Sequence, residues 1–104
     1  MEFKQASDVY INVKPVIDGS PLTLVSKAKY VVFQRDKVIL LEKTLDNGIS
    51  FSAEEGLTVH LTDVDTLTMG PGRYEHEMVV QDLEENDTFV LKGNFKIVET
   101  VARI

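Results

Sequence analysis

A chain of 104 residues, 43% apolar and 27% charged, is sized for one folded domain (residues 1–104) with a single core, and is not a disordered polymer. Seventeen acidic against eleven basic residues leave a net charge of −6. That balance argues against nucleic acid and anionic membrane as partners, because both are held by clustered Lys and Arg. The absence of cysteine excludes disulfides, thiolate nucleophiles and cysteine-ligated zinc.

The amino end, MEFKQASDVYINV, lacks the apolar stretch of a secretory signal. No apolar run approaches the ~20 residues of a membrane span, so a soluble protein made in the cytoplasm is expected. Apolar residues recur with period two almost throughout, the mark of strands with one buried face. Val9, Ile11 and Val13 alternate with Tyr10, Asn12 and Lys14, predicting a first strand that ends before Pro15. Residues 17–23, IDGSPLT, are turn chemistry. Residues 28–43, AKYVVFQRDKVILLEK, hold two β-rich runs broken at Arg35-Asp36-Lys37 and predict a hairpin. LDNGIS (45–50) predicts a turn with Asn47-Gly48 suited to positive φ, and short strands follow at about 49–52 and 57–61.

Alternation breaks at TDVDTLTM (62–69). Thr62 is placed to cap a single helical turn, with Asp63 and Asp65 near its positive end. Past Gly70-Pro71-Gly72 a long alternating strand runs from Tyr74 to Gln81. DLEEND (82–87) is an acidic turn, and a last strand from about Thr88 to Glu99 carries Gly93 in its middle as a predicted bulge. About seven short strands with one helical turn near 62–69 predict an all-β fold, an immunoglobulin-like antiparallel sandwich, with a small closed barrel as the alternative.

In such sandwiches a tyrosine near the start of the sixth strand hydrogen-bonds back to upstream backbone. Tyr74 stands there, predicting a structural corner: a buried ring whose hydroxyl bonds backbone near Asp63 to Thr66. Two residues on, His76 shares a face with Met78 and Val80 and reads as a packed, neutral histidine rather than a ligand or base. His60 lies on another strand, and Glu75 and Glu77, which flank His76, point to the opposite face. No phosphate loop, serine elbow or His-x-x-x-His spacing is present. Catalytic residues are therefore not assigned, an enzyme is not expected, and no cofactor is implied. Asp82, Glu84, Glu85 and Asp87, or Asp63 with Asp65, offer oxygens to Ca²⁺, but without EF-hand spacing, and solvated turns are the plainer reading.

The hairpin is the most informative surface. With a loop of two or four residues, Phe33 faces Leu40 and Arg35 faces Val38. One face then carries Tyr30, Val32, Ile39 and Leu41, and the other Val31, Phe33, Val38 and Leu40, flanked by Lys29 and Arg35. The second set is expected outward, where an antiparallel sheet is normally polar, either covered by another segment or used to bind another subunit. A three-residue loop would swap the two faces, but one apolar face would still need a cover. Phe3 near one end and Val101 and Ile104 at the other are further interface candidates, with frayed tails as the default reading.

From Lys43 onward the order of features resembles the N-terminal β-sandwich domain of bacteriophage baseplate upper proteins and related small phage tail structural proteins. The stretches are KTLDNGISF (43–51), LTVHLTDVDTLTMGPGRYEHEMVVQD (57–82) and FVLKGNFKIVE (89–99). Lys43, Asn47, Gly48, Ile49, Leu61, Thr62, Asp65, Thr66, Pro71, Gly72, Tyr74 and Gly93 stand at the matching places. The resemblance implies a non-enzymatic virion component, made in the host cytoplasm, that contacts other tail, baseplate or connector proteins and forms symmetric oligomers. Baseplate upper proteins continue well beyond this domain, whereas the present sequence stops at Ile104, as expected of a stand-alone tail protein or of an excerpt. A carbohydrate-binding or adhesion sandwich is the alternative, and predicts exposed aromatics along a groove.

Overall fold

The structure, a computed structural model, describes residues 1–17, 19–36 and 38–99, the side chain of Ile17 excepted. Its strands are β1 (Glu2–Lys4), β2 (Val9–Val13), β3 (Val16–Ile17), β4 (Ser20–Pro21), β5 (Lys27–Phe33), β6 (Ile39–Leu45), β7 (Gly48–Ser52), β8 (Gly56–Leu61), β9 (Gly72–Gln81) and β10 (Asp87–Val98). A helix, α1 (Asp63–Met69), joins β8 to β9. The protein is all-β apart from this helix. Eight strands form one sheet in the order β1-β10-β9-β5-β6-β7-β8-β2, curled into a nearly closed, barrel-like wall; β3 and β4 make a separate ribbon.

Alternation builds the core. Tyr30, Val32, Leu57, Val59, Leu61 and Met78 are fully buried, each at every second position of its strand, and burying such a side chain stabilises the fold by roughly 1.5–3 kcal/mol. A bulge in β10 keeps an apolar residue on the inner side, since a one-residue slip turns a strand over. In β10 the shift falls at Val90: Phe89 pairs with Val79 and Leu91 with Met78, which turns Leu91 toward the core. Gly93, the predicted bulge, instead pairs in register with His76.

The predicted helical turn is a seven-residue helix because both of its ends are fixed. The Asp65 N–H donates to Thr62 Oγ1 (3.1 Å), and the Thr62 N–H donates to Asp65 Oδ2 (2.8 Å), a capping box. Gly70, at φ 77°, ends the helix. The helix also fastens the turn between β1 and β2. Thr66 Oγ1, completely buried, accepts from Ser7 N–H (3.0 Å) and donates to the Ser7 carbonyl (2.9 Å).

The amino end is not a frayed tail. β1 pairs in parallel with β10, and the Phe3 ring packs on Phe95 with centroids 5.1 Å apart.

Candidate functional site

The outer face of the hairpin carries four of the interface candidates, Val31, Phe33, Val38 and Leu40, and register decides which of them are available. β5 pairs regularly with β9, so Val32 faces inward opposite His76, and Phe33 faces outward opposite Glu75. Across the hairpin Val32 pairs with Leu41 but Phe33 pairs with Ile39. Leu40 is thus an extra residue in β6, and the bulge moves Ile39, predicted to face inward, to the outside. Phe33 is outward yet only 7% exposed, outside the main core cluster, and Val31 is half-buried. Val38, Ile39 and Leu40 are exposed at 55%, 55% and 46%. The available surface is this consecutive run, not the four-residue face predicted. Phe3 is spent on the core, and Val101 and Ile104 lie outside the described residues.

Beside this run the sheet carries charge. Lys29 and Glu42 form an exposed ion pair at 3.6 Å, and Glu77 pairs across strands with Lys92. Exposed pairs of this kind contribute under about 1 kcal/mol, so the apolar run is the stronger contact feature.

His76 is 1% exposed, and its Nδ1 lies 2.9 Å from Tyr30 Oη. Burial pushes the Tyr30 hydroxyl pKa well up, so the phenol keeps its proton and the two groups share a hydrogen bond whose direction follows the imidazole tautomer. Burial likewise holds His76 below the usual imidazole range. A neutral ring enclosed by Tyr30 and Phe95 is a packed histidine. Glu75 and Glu77 are turned to the outer face, away from it.

The Tyr74 ring is buried and stacks on Phe95. Its hydroxyl donates to the carbonyls of Met69 and Gly70, the latter at 2.9 Å, and not to backbone at Asp63–Thr66 as predicted. The physical reason is α1: carbonyls inside the helix are already engaged, the Thr66 carbonyl by Gly70 N–H, whereas those at its end are open.

Lys43, Gly48 and Asp65 also serve the frame. Lys43 Nζ lies 2.8 Å from Asp65 Oδ2, both side chains largely shielded. A Cβ on Gly48, at φ +97°, would fall 2.4 Å from Lys43 Cδ, so only glycine lets the lysine stem pass. Burial pushes Asp65 up, but the Lys43 ammonium and the Thr62 hydrogen bonds outweigh it and hold the carboxyl below its usual range.

One surface cluster was not foreseen. Tyr10 stacks on His60 at 4.4 Å, and His60 Nε2 lies 2.9 Å from Asp8 Oδ1, which also accepts from Asp63 N–H at 3.3 Å. It joins the β1–β2 turn to β8 and the start of α1. These residues are some fifty positions apart, and only the register Tyr10–His60 brings them together.

Among the described residues no three His, Cys, Asp or Glu side chains converge as metal ligands. Asp82 is occupied by Glu84 N–H (2.8 Å) and Asn86 N–H (3.0 Å). No helix among the described residues is long and apolar enough to cross a membrane. Comparison with protein-family models, with curated proteins and with solved structures finds no match.

Proposed function

We propose that this chain is a non-enzymatic structural protein that works through protein–protein contacts, a tail, baseplate or connector component of a phage or prophage particle. The exposed run Val38-Ile39-Leu40 carries the reading. Consecutive exposed aliphatic residues are uncommon on a monomer's surface and mark a contact site. Covering the three adds roughly 1 kcal/mol each. The assignment to a virion rests on the resemblance of residues 43–99, supported by the roles of Lys43, Gly48, Thr62, Asp65 and Tyr74 in the frame.

We also infer that the curled sheet is an immunoglobulin-type arrangement. The run β10-β9-β5-β6 corresponds to one layer and β7-β8-β2 to the other, seven strands in all. The tyrosine corner at the start of β9 supports this.

A carbohydrate-binding module is the second reading. Tyr10, 66% exposed beside Asn12 and Thr58, is the observation that favours it.

The test is co-sedimentation. Cells that carry the gene are treated with a DNA-damaging agent, and released particles are separated on a density gradient and probed with antibody. The protein is expected to band with intact particles. If particles form and the protein stays wholly in the soluble fraction, the virion role is wrong.

A further inference from the structure

We propose that copies of this chain associate head to tail, the acidic turn 82–87 of one copy entering a basic cleft at the other end of the β9–β10 hairpin of the next. The inference rests on the assembly reading above and names its contact.

The cleft has a volume of about 560 Å³, and its charged side chains are Arg35, Arg73 and Lys96 against the single carboxylate of Glu75. In a chain of net charge −6 this is a local inversion of sign. Lys96 and Arg73 are directly paired across β10 and β9. Like charges at opposed positions destabilise a sheet, and here both are exposed and held side by side. Among the described residues the ion pairs are Lys29–Glu42, Lys43–Asp65 and His60–Asp8, so none includes these three cations. Glu2, the strand neighbour of Lys96 on the other side, forms no such pair with it. Gln34 Nε2 donates to the Arg73 carbonyl (3.4 Å) and ties the end of β5 to the cleft.

The opposite end of the same hairpin carries the complement. The Asp82 carboxylate is used inside the turn by Glu84 and Asn86, and Asp87 Oδ1 accepts from Gln81 Nε2 (2.9 Å). Glu84 and Glu85 remain as exposed carboxylates beside Leu83, itself 70% exposed.

Nine strand steps separate Arg73 from Asp82, about 30 Å at ~3.3 Å per residue, along a molecule 45 Å in its longest dimension. The two ends therefore meet only between molecules. A contact between two different patches closes into a ring or propagates as a filament, according to the rotation it imposes.

The test uses Arg73→Glu with Lys96→Glu (cleft reversed), Glu84→Lys with Glu85→Lys (turn reversed), and light scattering after size exclusion; circular dichroism and melting curves establish that each variant folds. The wild type is expected to associate, and at least tenfold more weakly when salt rises from about 0.05 M to about 0.5 M, since exposed charges are then screened. Each reversed variant alone stays monomeric. Their equimolar mixture associates again, because native turn meets native cleft and reversed turn meets reversed cleft. If either variant alone associates as the wild type does, or the mixture fails to associate, the head-to-tail contact is wrong. Should Val38→Ser with Leu40→Ser then abolish association, assembly itself stands and only this contact falls. A wild type that is monomeric at every concentration overturns both.

Discussion

At the residue scale the buried Tyr30–His76 pair gives the clearest expectations. Burial holds the folded imidazole below its ordinary value of 6.5, so below that pH the unfolded chain binds a proton that the folded chain does not. Stability is then full above about pH 6.5 and falls as the pH drops from there toward the folded value. Urea midpoints between pH 7.5 and 5.5 are expected to fall more steeply for the wild type than for His76→Gln; equal slopes would contradict a neutral buried ring. Tyr30→Phe leaves Nδ1 buried without its hydrogen-bond partner (2.9 Å in the native pair) and is expected to cost about 1–3 kcal/mol. Tyr74→Phe, which frees two helix-end carbonyls nearer the surface, is expected to cost about 1 kcal/mol in the same denaturation assay. The corner at Tyr74 was legible because a Gly-Pro-Gly turn followed by a tyrosine is a local pattern. Its hydrogen-bond partners were not, because they depend on how far α1 runs. The partner of His76 was equally hidden: Tyr30 is 46 positions away, and only the β5–β9 register brings the two together.

At the element scale, the helix and the β6–β7 turn are one unit. Lys43 leaves β6, passes Gly48 and reaches the carboxylate that completes the capping box of α1. Thr62→Ala removes the cap and is expected to lower stability by about 1 kcal/mol. Gly48→Ala places a Cβ in a left-handed conformation and against the lysine stem, at an expected cost of about 1–3 kcal/mol. Adding Lys43→Ala is expected to relieve the clash but not the backbone strain, so thermal denaturation of the four-member cycle should show the two changes to be non-additive. The positions of β2 and of β5 to β10 followed from period-two alternation, whereas β1 and the β3–β4 ribbon, in a stretch read as turn, did not; the cap followed from Thr62 with two aspartates. The bulges at Leu40 and Val90 did not. A bulge is a disagreement between two partner strands, and no single stretch of sequence contains it. That is why Ile39 was assigned to the inner face and Gly93 to an irregularity it does not form.

At the scale of the whole molecule, the arrangement of charge matters more than its total. An acidic chain keeps copies apart in general, while the basic cleft and the exposed apolar run are where the proposed assembly would bring copies together. The all-β class was readable from composition and periodicity. Strand order, the nearly closed wall and the basic cleft were not, because Arg35, Arg73 and Lys96 come together only once β5, β9 and β10 are neighbours. In the proposed function this protein acts by assembling through its exposed surface. Sedimentation velocity of the wild type across a broad concentration series, beside Val38→Ser with Leu40→Ser, tests it most directly. The wild type is expected to sediment progressively faster than a monomer as concentration rises, while the variant, melting at about the same temperature, stays a monomer. A wild type that remains monomeric throughout, or a variant that associates just as strongly, would contradict the account.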